Sequence, residues 1–448
     1  MPGLHINMGD FQEQIKETIL QVLKAKKDRA RYPLIIEQEI PPVDIISWLF
    51  RQPGEHRVYW QDKAGTIEAA GIGTGFQTAS DSLTDIYNVS LIKPLFFYNK
   101  LFNLSDNNSN LWGAFPSELC MLPQRMIIRR HDSYRYRLCI EFSGNDKIED
   151  IVRKFERLQI DSSQITPSET DTLSLQPIRH MPEYENWTMN VERCLEAIHS
   201  KKLAKVVMAR QSDYSFNEDI TAESCLKALL KAGKITYIML YQPDNQNTFI
   251  SLTPERLFHR FEKEIYIDAI SSTTRRGQTE SEDKSLADEL ISDSKQSLEH
   301  KFVIDGIFDS LKELCSGKPT VHATEILKLP MVQHLKTLID GGLMTTDDQA
   351  IINKLHPTPA VGGTPTLAAV KWIKSAEPFS RGLYAAPMGL ISEEETEIAV
   401  GIRSMLLKGK TISVFTGAGI VEGSDPDLEW REINSKNILS KFIQEEKN

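Results

Sequence analysis

Two stretches near the carboxyl end carry glutamates at spacings that could bind a metal ion. In SLEHKFVIDGI, Glu299 lies three positions before Phe302, so on a helix its carboxylate points along the apolar face. In DPDLEWREINSK, Glu429, Glu432 and Lys436 fall at i, i+3 and i+7 on a second predicted helix. Mg²⁺ prefers oxygen ligands, often one or two carboxylates. Two helices that each offer a glutamate indicate a shared Mg²⁺ site, and the alternative is a solvated charged face.

A glycine turn precedes the second of these helices. The run TISVFTGAGIVEG places Gly417, Gly419 and Gly423 after a predicted strand, where bare backbone amides favour an anion. The spacing is one residue away from the dinucleotide fingerprint, and a helix follows in place of the strand that ends in an acidic residue. The glycines therefore predict contact with an anion other than a dinucleotide.

Two basic residues interrupt apolar, strand-like segments. Arg403 lies in AVGIRSM and Lys205 in AKVVMAR. A guanidinium among apolar neighbours most naturally meets a carboxylate in bidentate fashion. Either residue alone could be a strand-edge charge on the solvent side. Together with the glutamates, they indicate a site for a carboxylate-bearing ligand.

Composition narrows the class of protein. The 448 residues allow two or three domains, or one large mixed fold, and a hydrophobic content of 40% with 25% charged residues is ordinary for a globular protein. The net charge of -10 argues against nucleic-acid binding. We find no apolar run of about 18 residues for a membrane span and no secretory pattern at the amino terminus. Five separated cysteines without a CxxC pair disfavour zinc and disulfides, so a cytoplasmic protein is expected.

The chain divides into three regions by composition. Residues 1–160 are rich in predicted strands such as HRVYWQDKAGTIEAAGIG, 161–182 form a polar connection, and 183–448 mix strands and helices. The first 21 residues predict a short amphipathic helix. The basic residues that follow are most simply a solvated helix face: Lys24, Lys26, Lys27, Arg29 and Arg31.

The third region contains most of the predicted elements. Strands are predicted at TYIMLYQ, NTFISL, EIYIDAI, LYAAPMGLI, TEIAVGIRSMLL and TISVFTGAGI, and long helices at 282–314 and 426–442. Because many strands follow one another with short turns, the fold class is α+β with mostly antiparallel sheets.

The motifs also occur together in one known order. KVVMAR, LTPERLF, SLEHKFVIDGI, VQHL, HPTPAVGG, RGLYAAPMG, AVGIRSM and GAGIVEGSDPDLEWREINSK resemble the chorismate-utilising enzymes, most closely the isochorismate synthases of the menaquinone type. The resemblance is strong over 187–443 and weaker in the first region. It implies two large antiparallel sheets stacked as a sandwich and surrounded by helices, as in anthranilate synthase component I, with the active site in a cleft.

The resemblance also implies a role for each residue of the site. Glu299 and Glu432 would hold Mg²⁺, which would hold the ring carboxylate of chorismate. The remaining substrate contacts would come from Arg403 and Tyr384 on the enolpyruvyl carboxylate, the amides of Gly417 and Gly419, the charge of Lys436, and His334, Ser272 and Thr273 along the pocket.

The implied reaction explains two further residue types. Isochorismate forms when water adds at C2 of the ring and hydroxide departs from C4, so one face needs a base and the other an acid. By resemblance Lys205 is the base and Glu255 the acid, and each proton transfer commonly contributes about 10²- to 10⁴-fold. Burial should keep the glutamate protonated, and burial with a nearby cation should help the lysine lose its proton.

The same positions separate the family's branches. Anthranilate synthases have Gln where Lys205 stands, and aminodeoxychorismate synthases have a nucleophilic Lys where Ser271 stands. Neither amination reaction is therefore expected, nor is a glutaminase partner. Salicylate synthases retain both the base and the acid and stay open as an alternative. A chorismate-binding protein without turnover would not need both Lys205 and Glu255. A monomer is favoured, because the relatives are often monomers.

The sequence departs from the family's pattern in two segments. Ser271, Ser272 and Thr273 replace Ala-Gly-Thr, which could narrow the pocket, and Gln296 replaces an acidic residue near the metal, which could weaken metal binding. Two histidines beside the motifs are predicted to have structural roles. His300 would pack a helix, and His356 would shape the Pro-Thr-Pro turn.

Overall fold

The structure is a computed structural model that describes residues 31–437 together with Glu13 and Glu17. Within that range it leaves out 80–82, 89, 91, 103–110, 144, 145, 159–174, 217–219, 233–235, 330 and 331. Apart from Glu13 and Glu17, the predicted amino-terminal helix falls outside the described residues, as do Lys24, Lys26, Lys27 and Arg29. Arg31 is exposed and lies 3.1 Å from Glu141 in an ion pair.

The first region is built mainly from strands. They are β1 (Tyr32–Ile40), β2 (Arg57–Gln61), β3 (Ile67–Gln77), β4 (Phe96–Lys100), β5 (Glu118–Arg130) and β6 (Ser133–Phe142). Its helices are α1 (Ile45–Arg51), α2 (Leu83–Tyr87) and α3 (Ile148–Leu158).

The later strands begin inside the predicted connection. They are β7 (Leu175–Met181), β8 (Lys205–Phe216), β9 (Tyr237–Asp244), β10 (Asn247–Thr253), β11 (Arg256–Phe261), β12 (Glu264–Arg275), β13 (Thr320–Val321), β14 (Glu325–Lys328), β15 (Val332–Gly342), β16 (Gly363–Thr364), β17 (Pro387–Ile391), β18 (Glu395–Val400), β19 (Ser404–Lys408) and β20 (Thr411–Ile420). The polar stretch 161–182 therefore ends in a strand, because β7 pairs antiparallel with β8.

In the described part of this region, seven helices accompany these strands. They are α4 (Tyr184–His199), α5 (Ala222–Ala232), α6 (Glu280–Ser292), α7 (Ser294–Leu314), α8 (Asp348–Leu355), α9 (Thr366–Ala376) and α10 (Pro426–Ser435). In the part of the chain that the structure describes, no helix combines the length and the apolarity that crossing a membrane requires.

The strand pairings are antiparallel and form two runs that share β5. One run is β1, β6, β5, β3, β2, β9, β10, β19, β20, β8 and β7. The other is β5, β4, β17, β18, β11, β12 and β15. The predicted α+β class with large antiparallel sheets is confirmed.

One hydrophobic core lies between the two runs. It contains Met239 and Phe249 of the first run, Phe258 and Ile398 of the second, and side chains of α7 and α8. A second core lies between the first run and α1, α3 and α5, and a third packs α4 and α9 on β8 and β20. The two runs therefore stack face to face with helices outside, as the predicted sandwich requires.

Trp112 joins the first region to the third. Its ring is fully buried, its indole nitrogen donates to the Ser380 carbonyl at 2.9 Å, and its centroid lies 5.6 Å from that of Phe415. A Cβ on Gly382, which has φ +53°, would come within 2.0 Å of the same ring. The close approach of Trp112 therefore needs glycine at 382.

Three predicted elements are interrupted where the chain forms the site. The predicted helix 282–314 is two helices, because Asp293 is extended (φ -69°, ψ 123°) and accepts the Gln296 amide as the N-cap of α7. The predicted strand through AVGIRSM breaks between β18 and β19, and Arg403 lies in that break with φ +48°. In LYAAPMGLI the strand begins only at Pro387. The placement of Arg403 inside a strand was therefore wrong.

The helix α10, which carries Glu432, depends on its N-cap. The Asp425 carboxylate accepts the amides of Asp427 and Leu428 at 3.0 Å each. We expect Asp425→Ala to lower the free energy of unfolding by about 1 kcal/mol. Urea titration followed by tryptophan fluorescence measures the change. Asp425→Asn is the matched control, since Asn caps equally well, and an equal loss in both variants would contradict the capping role.

Candidate active site

A cavity of about 750 Å³, including its open mouth, lies at one end of the core. Its walls come from β8, β12, β15, β20, α7, α10, the connection between β10 and β11, the loop before β16 and the breaks before β17 and β19. Eleven of the twelve residues predicted for the site line this cavity: Glu255, Ser272, Thr273, Glu299, His334, Tyr384, Arg403, Gly417, Gly419, Glu432 and Lys436. The twelfth, Lys205, lies directly behind Glu299. Segments that are far apart in sequence thus meet at one place.

The carboxylates of Glu299 and Glu432 enter the cavity from two helices. Glu299 belongs to α7 and lies 2.9 Å from the Lys205 ammonium. Glu432 belongs to α10 and lies 2.6 Å from the Lys436 ammonium, which also donates to the Gly417 carbonyl at 3.0 Å. Each carboxylate is therefore held by a lysine: Glu432 by Lys436 on the cavity wall, and Glu299 by Lys205 behind it.

The two glycines of the turn leave room for these groups. A Cβ on Gly419 would come within 2.4 Å of Glu299 Oε1 and 3.0 Å of Lys205 Cε. A Cβ on Gly417 would come within 2.6 Å of the Tyr384 hydroxyl. Any side chain at either position would displace a polar group of the cavity. The glycines therefore act by close approach, at the end of a strand and away from a helix N-terminus.

The predicted base and acid are both buried. Lys205 begins β8 and has no exposed surface. Glu255 follows β10, and its amide is held by the Thr253 hydroxyl at 3.1 Å. Burial raises the pKa of Glu255 to about 7, although Lys205, Lys63, Lys436 and Arg403 act in the opposite direction. Near neutral pH this carboxyl can therefore hold a proton.

Arg403, His334 and Thr273 form a hydrogen-bonded series along one wall. The Arg403 guanidinium donates to His334 Nε2 at 3.1 Å, and His334 Nδ1 lies 2.9 Å from the Thr273 hydroxyl. Nε2 accepts, so the neutral ring carries its proton on Nδ1. Burial, Arg403 and Lys436 lower the pKa of His334 to about 3, so the imidazole is neutral. Burial also lowers the pKa of Arg403 to about 10, which still leaves it charged at pH 7.

Tyr384 lines the cavity beside this wall. Its ring stacks on Phe415 with centroids 5.5 Å apart and planes at 19°, and Arg381 Cζ lies 5.6 Å from its centroid. Burial raises the pKa of the Tyr384 hydroxyl, so the phenol is neutral and can donate a hydrogen bond.

The serines that depart from the family pattern connect β12 to α7. The Ser271 hydroxyl lies 2.8 Å from His300 Nδ1, and the Ser272 hydroxyl donates to the Gln296 carbonyl at 2.8 Å. Ser272 adopts φ +57° at an irregularity in the β12–β15 register. Both serines line the cavity, and their hydroxyls also fasten the strand to the helix that carries Glu299.

His300 has the packing position that the sequence predicted. It is buried, and its Nε2 lies 2.9 Å from the Thr337 hydroxyl while Nδ1 meets Ser271. His356 likewise lies in its loop, where Nε2 donates to the Ala385 carbonyl at 2.8 Å. Neither histidine lines the cavity.

The hydroxyl of Ser271 satisfies a buried nitrogen of His300. Ser271→Ala leaves that nitrogen without its partner, so we expect the free energy of unfolding to fall by about 1 to 3 kcal/mol. Urea titration measures the loss. The control is Ser285→Ala on α6, where an exposed hydroxyl donates to Glu289 and the change should stay within about 0.5 kcal/mol. Equal values for the two variants would contradict the structural role of Ser271.

The sequence did not identify Lys295 as part of the site, nor the ion pair that it forms with Glu429. Lys295 lies on α7 and its ammonium is 2.7 Å from the Glu429 carboxylate on α10. Glu429 is only 2% exposed, so the alternative of a solvated charged helix face is wrong for this residue. A lysine in the first turn of a helix, where the helix dipole disfavours it, was the available signal.

The chemistry of the two cavity carboxylates fits Mg²⁺. Carboxylate oxygens from two helices face a space large enough for a ligand that carries further oxygens. Because Gly419 has no side chain, the Glu299 carboxylate can occupy its position without a clash. Among the described residues, no group of three or more His, Cys, Asp or Glu side chains is arranged to hold a metal ion. The site thus offers two protein ligands and would share the ion with a substrate and waters.

Known proteins are similar in sequence to this chain over most of its length. An isochorismate synthase of Catharanthus roseus chloroplasts is 34% identical over 342 residues, which are 74% of this chain and 59% of that relative. The isochorismate synthase MenF of Escherichia coli K12 is 30% identical over 396 residues, which are 88% of this chain and 89% of that relative.

Solved structures share the fold. The structure of Escherichia coli MenF, described as the menaquinone-specific isochorismate synthase, matches with a TM-score of 0.83 at 25% identity over 96% of this chain and 100% of that chain. Anthranilate synthase component I of Streptococcus pneumoniae matches in fold with a TM-score of 0.64 at 18% identity, over 91% of this chain and 92% of that one. The family model described as chorismate binding enzyme matches residues 17–441, and the chain belongs to that family.

Proposed function

We propose that this chain is an isochorismate synthase that converts chorismate to isochorismate with the help of Mg²⁺. The observation that carries the proposal is the presence of two buried ionisable side chains, one on the cavity wall and one directly behind it. Lys205 is the buried lysine that, in its neutral form, would accept a proton, and Glu255 is a carboxyl whose pKa of about 7 lets it donate one. The isochorismate synthases among the similar proteins support the same reaction.

The remaining wall residues bind the substrate. The Arg403 guanidinium and the neutral Tyr384 hydroxyl face the cavity and suit the enolpyruvyl carboxylate of chorismate. His334 accepts from Arg403 and so fixes the orientation of the guanidinium. Lys436 adds positive charge close to the amides of the glycine turn. The enolpyruvyl carboxylate of the substrate would thereby be held in a fixed position.

Two proton transfers follow from the placement of the base and the acid. Lys205, in its neutral form, takes a proton from the water that adds at C2 and becomes an ammonium, and protonated Glu255 gives its proton to the hydroxyl that departs from C4 and becomes a carboxylate. The ring double bonds shift between these carbons, so the numbers of atoms and charges balance. Because water is the nucleophile, the reaction needs no ammonia and no glutaminase partner.

Glu299 and Glu432 would hold the metal ion. Bound Mg²⁺ would neutralise the ring carboxylate of chorismate and strengthen its attachment to the site. The menaquinone pathway, a cytoplasmic location and a monomeric state complete the proposal. The likeness to the menaquinone-specific enzyme of Escherichia coli supports the first of these.

A product assay tests the proposal. Purified protein is incubated with chorismate and Mg²⁺, with and without EDTA, and the products are separated by liquid chromatography. We expect isochorismate to form with Mg²⁺ and not to form when EDTA is present. Salicylate with pyruvate would instead identify a salicylate synthase, and unchanged chorismate would leave only a binding protein. Genetic complementation of a menaquinone-deficient strain then tests the pathway.

A further inference from the structure

The ion pair between Lys295 and Glu429 joins the two helices that carry the predicted metal ligands. The ammonium and carboxylate are 2.7 Å apart, and Glu429 is nearly inaccessible to solvent. Lys295 belongs to the first turn of α7 and Glu429 to the first turn of α10. The contact therefore connects the starts of both helices.

The pair is offset from the metal ligands by about one helical turn on each side. Glu299 follows Lys295 by four positions and Glu432 follows Glu429 by three, so each ligand shares a helix face with one member of the pair. The contact between Lys295 and Glu429 consequently lies on the helix faces that also bear Glu299 and Glu432.

Other contacts hold the two helices to different parts of the fold. Helix α7 packs on β12 and β15, whereas α10 packs on β20 and α4. Strands β12 and β15 belong to one run of the sandwich, and β20 belongs to the other. A metal ion shared by Glu299 and Glu432 would therefore bridge two separately supported helices, and the Lys295–Glu429 pair joins them directly.

Neither member of the pair lies where helix stability or solvation alone would place it. A lysine at the start of α7 opposes the helix dipole, and a buried carboxylate needs a partner. Burial alone would lower the pKa of Lys295, yet the carboxylates of Glu429, Glu299 and Glu432 raise it. The Lys295 ammonium is thus stabilised electrostatically by three glutamates, and its hydrogen bond goes to Glu429.

We propose that the Lys295–Glu429 pair is a positioning device that holds α7 and α10 at the separation needed for Glu299 and Glu432 to share one divalent cation. The inference rests on the metal site of the proposed function.

A charge-neutral double variant tests the pair. K295M/E429Q removes one positive and one negative charge, so the summed charge near the cavity stays the same and only the connection is lost. Mn²⁺ binding without chorismate is measured by electron paramagnetic resonance of the free ion. We expect the dissociation constant to rise about 10- to 100-fold, as for other residues that orient metal ligands. The reversed pair K295E/E429K should regain most of the lost affinity.

The matched control is K354M/E313Q. It removes, without change of net charge, an exposed ion pair at the opposite end of α7, and Mn²⁺ affinity should not change. If K295M/E429Q does not fold, K295R/E429D retains both charges with altered lengths and should still bind Mn²⁺ more weakly than the wild type.

Three results would overturn the proposal. The first is wild-type Mn²⁺ affinity in K295M/E429Q, or in K295R/E429D where that variant replaces it. The second is an equal loss of Mn²⁺ affinity in the control variant K354M/E313Q. The third is no Mn²⁺ binding by the wild type. The product assay decides the proposed function separately, because formation of isochorismate does not depend on the outcome of the Mn²⁺ titration.

Discussion

Lys205→Met lowers kcat for isochorismate formation by about 10²- to 10⁴-fold, the usual range for loss of a general base. Methionine fills nearly the same buried volume but cannot accept a proton from water. The measurement is the initial rate at saturating chorismate and saturating Mg²⁺, because the variant also frees Glu299 from its 2.9 Å ion pair. Loss of the base should therefore appear in kcat and persist at every Mg²⁺ concentration.

The control for Lys205 is another ion-paired lysine far from the cavity. Lys227 on α5 pairs with Glu223 at 2.7 Å, and Lys227→Met should retain the wild-type kcat. A Lys205→Met or Lys205→Ala enzyme whose turnover stays within about twofold of the wild type would show that another group is the base.

Glu255→Gln likewise lowers kcat by about 10²- to 10⁴-fold, since the amide keeps the shape of the side chain but has no proton to give to the departing hydroxyl. Chorismate binding should change much less, because the amide does not add charge to the cavity. Single-turnover rates with excess enzyme separate the chemical step from binding. Weakened binding with an unchanged chemical step would assign Glu255 to substrate contact.

The pH dependence of kcat/KM reports the same carboxyl in the free enzyme. Burial raises the pKa of Glu255 to about 7, so the acid is protonated below this pH and loses its proton above it. We expect kcat/KM to fall as the pH rises through about 7, and the residual activity of Glu255→Gln to lack this descending limb. A wild-type profile that is flat between pH 6 and about 8 would contradict the assignment.

The arrangement of strands was largely predictable from the sequence. Alternating runs such as YRYRLCIEF and the hairpin around DKAG indicate antiparallel strands, which appear as β6 and the β2–β3 pair. The ordered motifs imply two stacked sheets, and the two runs that share β5 have that arrangement. The register between distant strands, such as β2 with β9, depends on tertiary packing that no local pattern reveals.

The interruptions were not predictable from local patterns. Apolar periodicity continues through Asp293, but its carboxylate caps a new helix and bends the chain there. The apolar run around Arg403 predicts a strand, but its left-handed backbone lets the side chain reach His334. At Asp293 a local N-cap contact interrupts the apolar pattern, whereas at Arg403 a hydrogen bond to His334, 69 positions away, outweighs the local propensity.

Most residues of the candidate site were predictable because they belong to the ordered motifs. The ion-pair partners of these residues were not predictable from the motifs. The motif identifies Glu299 and Glu432, but nothing local indicates that Lys205 and Lys436 pair with them. Lys295 was missed for the same reason, since its partner Glu429 is 134 positions away. The roles of all these residues stay predictions until the variants are measured.

Three non-glycine residues around the cavity have left-handed backbones: Ser272 (φ +57°), Ala385 (φ +60°) and Arg403 (φ +48°). Such conformations cost about 1 to 2 kcal/mol each, and glycine relieves them. A variant library sorted for thermal resistance should therefore enrich glycine at these codons. The same library, selected in cells whose growth requires the enzyme to form its product, should reject glycine at 403. The two selections will therefore favour different sequences at the cavity.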